Sequence, residues 1–356
     1  MNKPNAFYRI IGKYNRVLFR LVNNSHYLTI NKLGKINQHL RAKQHRLVLT
    51  VRSEVSFKTN RQSELDEVFQ EKFAIVFQGK FPYENQQKEF INNVKSFRNA
   101  YPKVKIIVST YEGEINDETF LKSLGVDVIH CQDVGALESP FSPNLSRQIE
   151  TTFTGLSLAK TLGKEFAVKI RMDQYISPVN FIEICSAMLN TFPTRAQSSF
   201  SSYSTKERLF VSSFNTFRRK PLHISDMLMF GQIDSLVAYW RRCPSWEFIA
   251  ETRKLEIKNP NISFHNLNVP EVWLATRYLD FLGYQFSDLM MANDHAWRNE
   301  FGVIDSAWIG QNWSKYIDFL NSNLAINTWF FKDYFSNNIE DSSELTFKDW
   351  WVQYYL

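Results

Sequence analysis

Four short apolar runs, each closing on polar residues and separated by stretches of helical length, constrain this chain's fold more than anything else in it. They are "FAIVFQG" (Phe73 to Gly79), "VKIIVSTYEGE" (Val104 to Glu114), "VDVIHCQD" (Val126 to Asp133) and "FAVKIRMD" (Phe166 to Asp173). Continuous apolar runs of strand length, bounded by turn residues, mark strands covered on both faces, as in a parallel sheet. Helix-compatible segments lie between them, near 85–99 and 117–124 and along "NLSRQIETTFTGLSLAKTL" (Asn144 to Leu162), with Gly163 as a stop. Strand and helix alternating in this way predict an α/β fold with a doubly wound, mostly parallel sheet and right-handed crossovers.

In such a sheet, ligands bind beyond the carboxyl ends of the strands. That rule gathers Gln78, Gly79 and Lys80, Thr110 and Glu112, Gln132 and Asp133, and Arg171 and Asp173 around one crevice. Asp173 therefore falls where a ligand would sit, not where a core would need it. Neither GxGxxG nor GxxxxGK[ST] occurs, which removes a dinucleotide fingerprint and a P-loop from consideration. The downstream half is less regular and richer in tryptophan, and the Ser-rich stretch from Arg195 to Arg208 reads as a loop.

Charge divides the chain unevenly. Residues 1–53 hold eleven Lys and Arg and no acid, whereas the rest holds 31 Lys and Arg against 36 Asp and Glu. Within this basic arm Phe7, Ile10, Ile11, Tyr14, Val17, Leu18 and Leu21 recur at helical spacing, with Arg9, Lys13, Arg16 and Arg20 mostly between them. Two readings fit: an amphipathic helix on an anionic membrane face, or an ordinary helix packed on the body. Nucleic acid is not an expected partner, since no recognition motif occurs and the body is acidic. Three widely spaced cysteines suit a reducing compartment, and the start lacks the apolar core of a signal peptide. The expected location is the cytoplasm, peripheral on the inner face of the plasma membrane. The expected organisation is an arm over 1–60, a catalytic domain over 61–315 and an aromatic extension over 316–356 packing on it.

Taken with "NLSRQIETTFTGLSLAK", "FAVKIRMDQYIS", "PLHISDMLMFGQIDSLVAYW" and "VPEVWLA", the chain from about Phe73 to Leu274 resembles the WavE-type lipopolysaccharide synthesis family, envelope glycosyltransferases of GT-A-like architecture. The resemblance implies an irregular C-terminal acceptor half. It also implies transfer of a hexosyl or pentosyl unit from a nucleotide-sugar donor to a lipopolysaccharide, capsule or related acceptor, glycan or lipid-linked. A non-catalytic, membrane-docked component of the same pathway and a sugar nucleotidyltransferase are the alternatives.

Such a reaction needs positive charge on the departing diphosphate, from a divalent ion or from cationic side chains. GT-A sites usually hold the ion with Asp–x–Asp; here Arg171 stands in the first position. Asp173 is then a lone ligand for Mg²⁺ or Mn²⁺, or Arg171 meets the diphosphate with Lys169 or Arg147. A plain salt bridge between Arg171 and Asp173 is the third option. Donor-binding candidates are Gln78, Gly79, Thr110, Asn144, Arg147, Gln148, Lys169, Arg171 and Asp173. His223, Ser225 and Asp226 are acceptor-side candidates, unless Ser225 or Asp226 merely caps a following helix. Glu271, after Pro270 in a first helical turn, is the expected general base with Asp226 as rival, and Asp173 completes the catalytic set.

Overall fold

The computed structural model describes residues 62–138, 142–194, 207–258, 269–284, 288–313 and 344–355. The basic arm, most of the Ser-rich loop, His265 and most of 316–356 lie outside the described residues. In chain order the elements are α1 (Gln62–Lys72), β1 (Phe73–Gln78), α2 (Glu84–Ala100), β2 (Lys105–Tyr111), α3 (Thr119–Ser123), β3 (Val126–Cys131), α4 (Leu145–Thr161), β4 (Phe166–Arg171), β5 (Gln174–Tyr175) and α5 (Phe181–Thr191). Then follow β6 (Leu209–Ser212), β7 (Leu228–Gln232), α6 (Ile233–Tyr239), α7 (Phe248–Lys258), α8 (Pro270–Phe281), α9 (Leu289–His295), β8 (Phe301–Ile304), β9 (Asn312–Trp313) and α10 (Phe347–Trp350).

Among the described residues seven strands form one sheet in the order β3-β2-β1-β4-β7-β6-β8, and β5 pairs with β9 in a separate ribbon. The contacts β1–β2, β2–β3, β1–β4 and β6–β8 are parallel; β7 alone runs against both its neighbours, β4 and β6. The expected mostly parallel α/β sheet is therefore present. Chain order reverses between β1 and β4, and that switch point is where a crevice opens in such folds. Register holds the strand ends level, since Gln78 pairs with Ser109 on one side and Arg171 on the other.

Side-chain parity explains the layering. Phe77 points to α2, where Phe90 and Phe97 meet it at 5.4 and 6.1 Å between ring centroids. Phe97 continues to Phe181 of α5 at 5.6 Å, so one face of the sheet is closed by aromatic packing. Val76 and Gln78 point the other way, to α4. That helix approaches closely because residue 155 is glycine: a Cβ there would stand 2.5 Å from Cγ1 of Val76 and 2.9 Å from Cβ of Ser109. At the far edge the indole Nε1 of the fully buried Trp350 donates to the Trp297 carbonyl at 3.0 Å, fixing the chain's last described turns to the body.

Candidate active site

A cleft of about 630 Å³ lies over the strand ends at the switch point. Gln78, Gly79, Arg171 and Asp173 come from the ends of β1 and β4; Asn144, Arg147 and Gln148 come from the start of α4. The opposite wall is Asn215 and Phe217, His223, Asp226 and Met227, and Glu271 at the start of α8. The Gln78 carboxamide is held by the Thr151 hydroxyl, which donates to Oε1 at 2.8 Å. Gly79 adopts φ +114°, and a Cβ there would meet nothing within 4 Å, so its backbone conformation rather than crowding calls for glycine.

On the strand-end side, three cations among the described residues line the cleft, and each faces an acid that lines it too. Arg171 donates Nε to Oδ1 of Asp173 at 2.9 Å and NH2 to Oδ2 at 2.7 Å. Arg147 makes the same fork on Asp133, with Nε to Oδ1 and NH2 to Oδ2 both at 2.7 Å. Lys80 stands 3.7 Å from Glu114. The Arg147 guanidinium holds the Asp133 carboxyl below the ordinary aspartate value.

The opposite wall handles charge by burial. Glu271 and Asp226 are 8% and 6% exposed, yet both reach the cleft. Burial raises the Glu271 carboxyl well above the ordinary glutamate range, and the charge of Asp226 raises it further. Asn215 donates Nδ2 to Glu271 Oε1 at 2.7 Å, and Gln148 donates Nε2 to Asp226 Oδ2 at 2.5 Å. The Asn215 carbonyl accepts from His223 Nδ1 at 3.1 Å, which leaves Nε2, 3.9 Å from Glu271 Oε2, without a proton in the neutral ring. Burial, with the nearby charge of Lys220, lowers His223 to about 4. Asn215 sits at φ +62°, a left-handed conformation that asparagine tolerates better than most residues.

Of the residues singled out in the sequence, the cleft brings together Gln78, Gly79, Asn144, Arg147, Gln148, Arg171, Asp173, His223, Asp226 and Glu271. It does not bring in Thr110, Lys169 or Ser225. Thr110 is fully buried in β2, one residue short of the end, and its neighbour Tyr111 lines the cleft instead. Lys169 lies beneath the floor, fully buried, with its ammonium 4.6 Å from the Trp240 ring centroid and donating to the Asp226 carbonyl. Burial lowers its pKa to about 7. The Ser225 hydroxyl donates to the Phe214 carbonyl at 2.6 Å and caps no helix, because β7 follows. Glu112 and Gln132 also stay outside the lining. Sequence reasoning missed Asn215, Phe217 and Tyr111.

For a divalent ion the donor set fits poorly. Both oxygens of Asp173 are engaged by Arg171, whose charge is permanent. Among the described residues, no three His, Cys, Asp or Glu side chains gather as a metal site.

A family model described as WavE lipopolysaccharide synthesis matches residues 73–271, more than half of the chain. The chain belongs to the WavE lipopolysaccharide synthesis family. The matched span runs from the first residue of β1 to Glu271, so it carries the cleft's walls from end to end. Among solved structures, this WavE-family chain is similar to one described as a nucleotide-diphospho-sugar transferase from Desulfovibrio desulfuricans. Identity is 11%, coverage 59% of this chain and 96% of that one, and the TM-score 0.27. The apo form of the glycosyltransferase GlyE from Streptococcus pneumoniae shares 14% identity over 60% of this chain and 44% of its own, at 0.28. A glycosyltransferase involved in glycosylating the major capsid of PBCV-1 shares 11% over 66% and 81%, at 0.27. Likeness this distant bears no functional weight beside the family match. No curated protein matches the sequence.

Proposed function

We propose that this protein is a glycosyltransferase that moves a sugar from a nucleotide-activated donor to a hydroxyl of a lipopolysaccharide, capsule or related envelope glycan, free or lipid-linked. The observation that carries the reading is one cleft joining a cation-lined strand-end wall to a wall with two buried carboxyl groups. The first wall suits a diphosphate, whose charge grows as the bond to the sugar breaks. The second suits the acceptor. A carboxylate raised toward neutral pH is matched to removing a hydroxyl proton.

In this reading Glu271 accepts the acceptor's hydroxyl proton on the oxygen that Asn215 leaves open. The acceptor oxygen attacks the anomeric carbon, the bond from that carbon to the diphosphate breaks, and the nucleoside diphosphate leaves with the electron pair. Asp226, held by Gln148, lies beside Glu271 and orients sugar hydroxyls together with His223. Gln78 and Gly79 are placed to meet the nucleoside, and Asn144 and Arg147 the phosphates or sugar hydroxyls.

The basic arm is assigned to an anionic membrane surface, which would bring the enzyme to a lipid-linked acceptor at the inner face of the plasma membrane. Among the described residues no helix is long and apolar enough to cross a membrane. The deciding experiment is thermal denaturation of the full chain with UDP-, GDP-, CMP- and ADP-sugars, each with and without Mn²⁺. A stabilising donor, whose nucleotide is then released on adding an acceptor glycan, is the expected result. Stabilisation by none of them would sink the transferase reading in favour of a non-catalytic role.

A further inference from the structure

Resting on the transferase reading, we infer that the donor's diphosphate is held by arginine forks that take phosphate in exchange for carboxylate, and that Asp173 is the counter-ion of Arg171 rather than the ligand of a metal ion. Three cation–acid pairs surround one cleft: Arg171 with Asp173, Arg147 with Asp133, and, in a looser single contact, Lys80 with Glu114. In both arginine pairs Nε and NH2 point in parallel at the two oxygens of one carboxylate, at 2.7 to 2.9 Å. Phosphate offers two oxygens at a matching spacing, so a guanidinium set up for one acid oxyanion is set up for the other. The carboxylates mark the positions that phosphate oxygens would take.

The chain also shows how the exchange can occur. Asp133 lies beyond the end of β3 with its side chain 45% exposed, so displacement into water costs it, besides the fork, the bond its Oδ1 accepts from the Gly135 N–H at 2.9 Å. Arg147, in the first turn of α4, needs little movement to keep its fork aimed at the cleft. Asp173 is different: it is two residues from Arg171 and more enclosed, at 20% side-chain exposure. It therefore shifts only aside when phosphate takes the fork, and remains near the guanidinium as its counter-ion in the empty cleft. A dication on the same carboxylate would lie against a cation that does not deprotonate. The repulsion falls on the ion, because Arg171 is anchored at the end of a central strand. Asp173 is in this sense a positioning residue.

The test uses the full chain, titrated calorimetrically with UDP, GDP and ADP and with their sugars, in EDTA and again in Mn²⁺ or Mg²⁺. At least one of these ligands should bind in EDTA with an affinity that added metal leaves unchanged. Arg171→Gln should weaken it about 10- to 100-fold, the loss of hydrogen bonds to a charged group. Asp173→Asn, which keeps shape but removes a competing charge, should bind equally or more tightly in EDTA. Should Arg171→Gln fail to fold, Arg147→Gln, on an exposed first turn, carries the same expectation. Binding that needs metal and disappears in Asp173→Asn overturns the inference and leaves the transferase intact. No binding in either medium overturns both.

Discussion

The two walls of the cleft hold acids in opposite ways. On the strand-end wall Asp133 and Asp173 are each gripped by an arginine and remain partly exposed. On the facing wall Glu271 and Asp226 are almost fully buried, and their carboxyl oxygens accept from the neutral amides of Asn215 and Gln148. Pairing with Arg147 holds Asp133 below its ordinary value, whereas burial beside Asp226 raises Glu271. The difference teaches that the first wall is suited to recognising charge and the second to moving a proton.

The sharpest way to break that division is Glu271→Gln. The substitution keeps the hydrogen bond from Asn215 within reach of the side-chain oxygen but removes the base. Transfer should fall about 10²- to 10⁴-fold, the usual contribution of general acid–base catalysis. Binding of the nucleotide donor, measured by calorimetry, should stay as in the parent. Weakened donor binding with unchanged turnover would mean that Glu271 belongs to the recognition wall and that the division is false.

Scaffold and chemistry can be separated as well. Gly155→Ala puts a methyl group where Val76 and Ser109 already pack, at 2.5 and 2.9 Å. Forcing an extra carbon into a close-packed core costs about 1 to 3 kcal/mol. Denaturant unfolding should show that loss, and because α4 supplies both Arg147 and Gln148 the two walls should weaken together. A variant that melts like the parent would show that α4 can lift off the sheet without strain.

The strand-end wall was legible in the sequence because it follows from local pattern. Each of β1 to β4 is a compact run, and in a parallel sheet a run's end is itself a position in space. Gln78, Gly79, Asp133, Arg171 and Asp173 fall out of that rule. Thr110 fails it by one residue: β2 continues to Tyr111, and the alternation of side chains along a strand moves the lining role to the next position. The facing wall rests on contacts that no local pattern encodes. Gln148 meets Asp226 across 78 residues and Asn215 meets Glu271 across 56. The run after Asp226 was open to a helical reading, because a short apolar stretch has no decisive period; it is β7. Lys169 shows the converse limit. A lysine inside an apolar run looks like a reach toward a ligand, yet it is fully buried over Trp240.

The smallest expected effect sharpens the comparison most finely, because it changes one hydrogen bond. Asn215 donates to Glu271 and so favours the charged carboxylate, opposing the burial that raises its pKa. Glycine accepts the left-handed φ of +62° without strain, so Asn215→Gly removes the amide and keeps the backbone. Glu271 should then hold its proton to higher pH. As the base acts only when deprotonated, the rising limb of the rate against pH should move upward by about one unit or less, up to about tenfold in rate on the acid side. The plateau at high pH should change little. Stability has its own sign: a carboxyl raised on folding favours the native state at low pH, and that contribution is lost as pH rises through its folded value. The variant should therefore go on losing stability as pH rises through and above about 8, where the parent has stopped, as read by melting at a series of pH values. A limb that stays in place, or moves down, would show that Asn215 only shapes its loop and that the burial of Glu271 beside Asp226 sets the proton by itself.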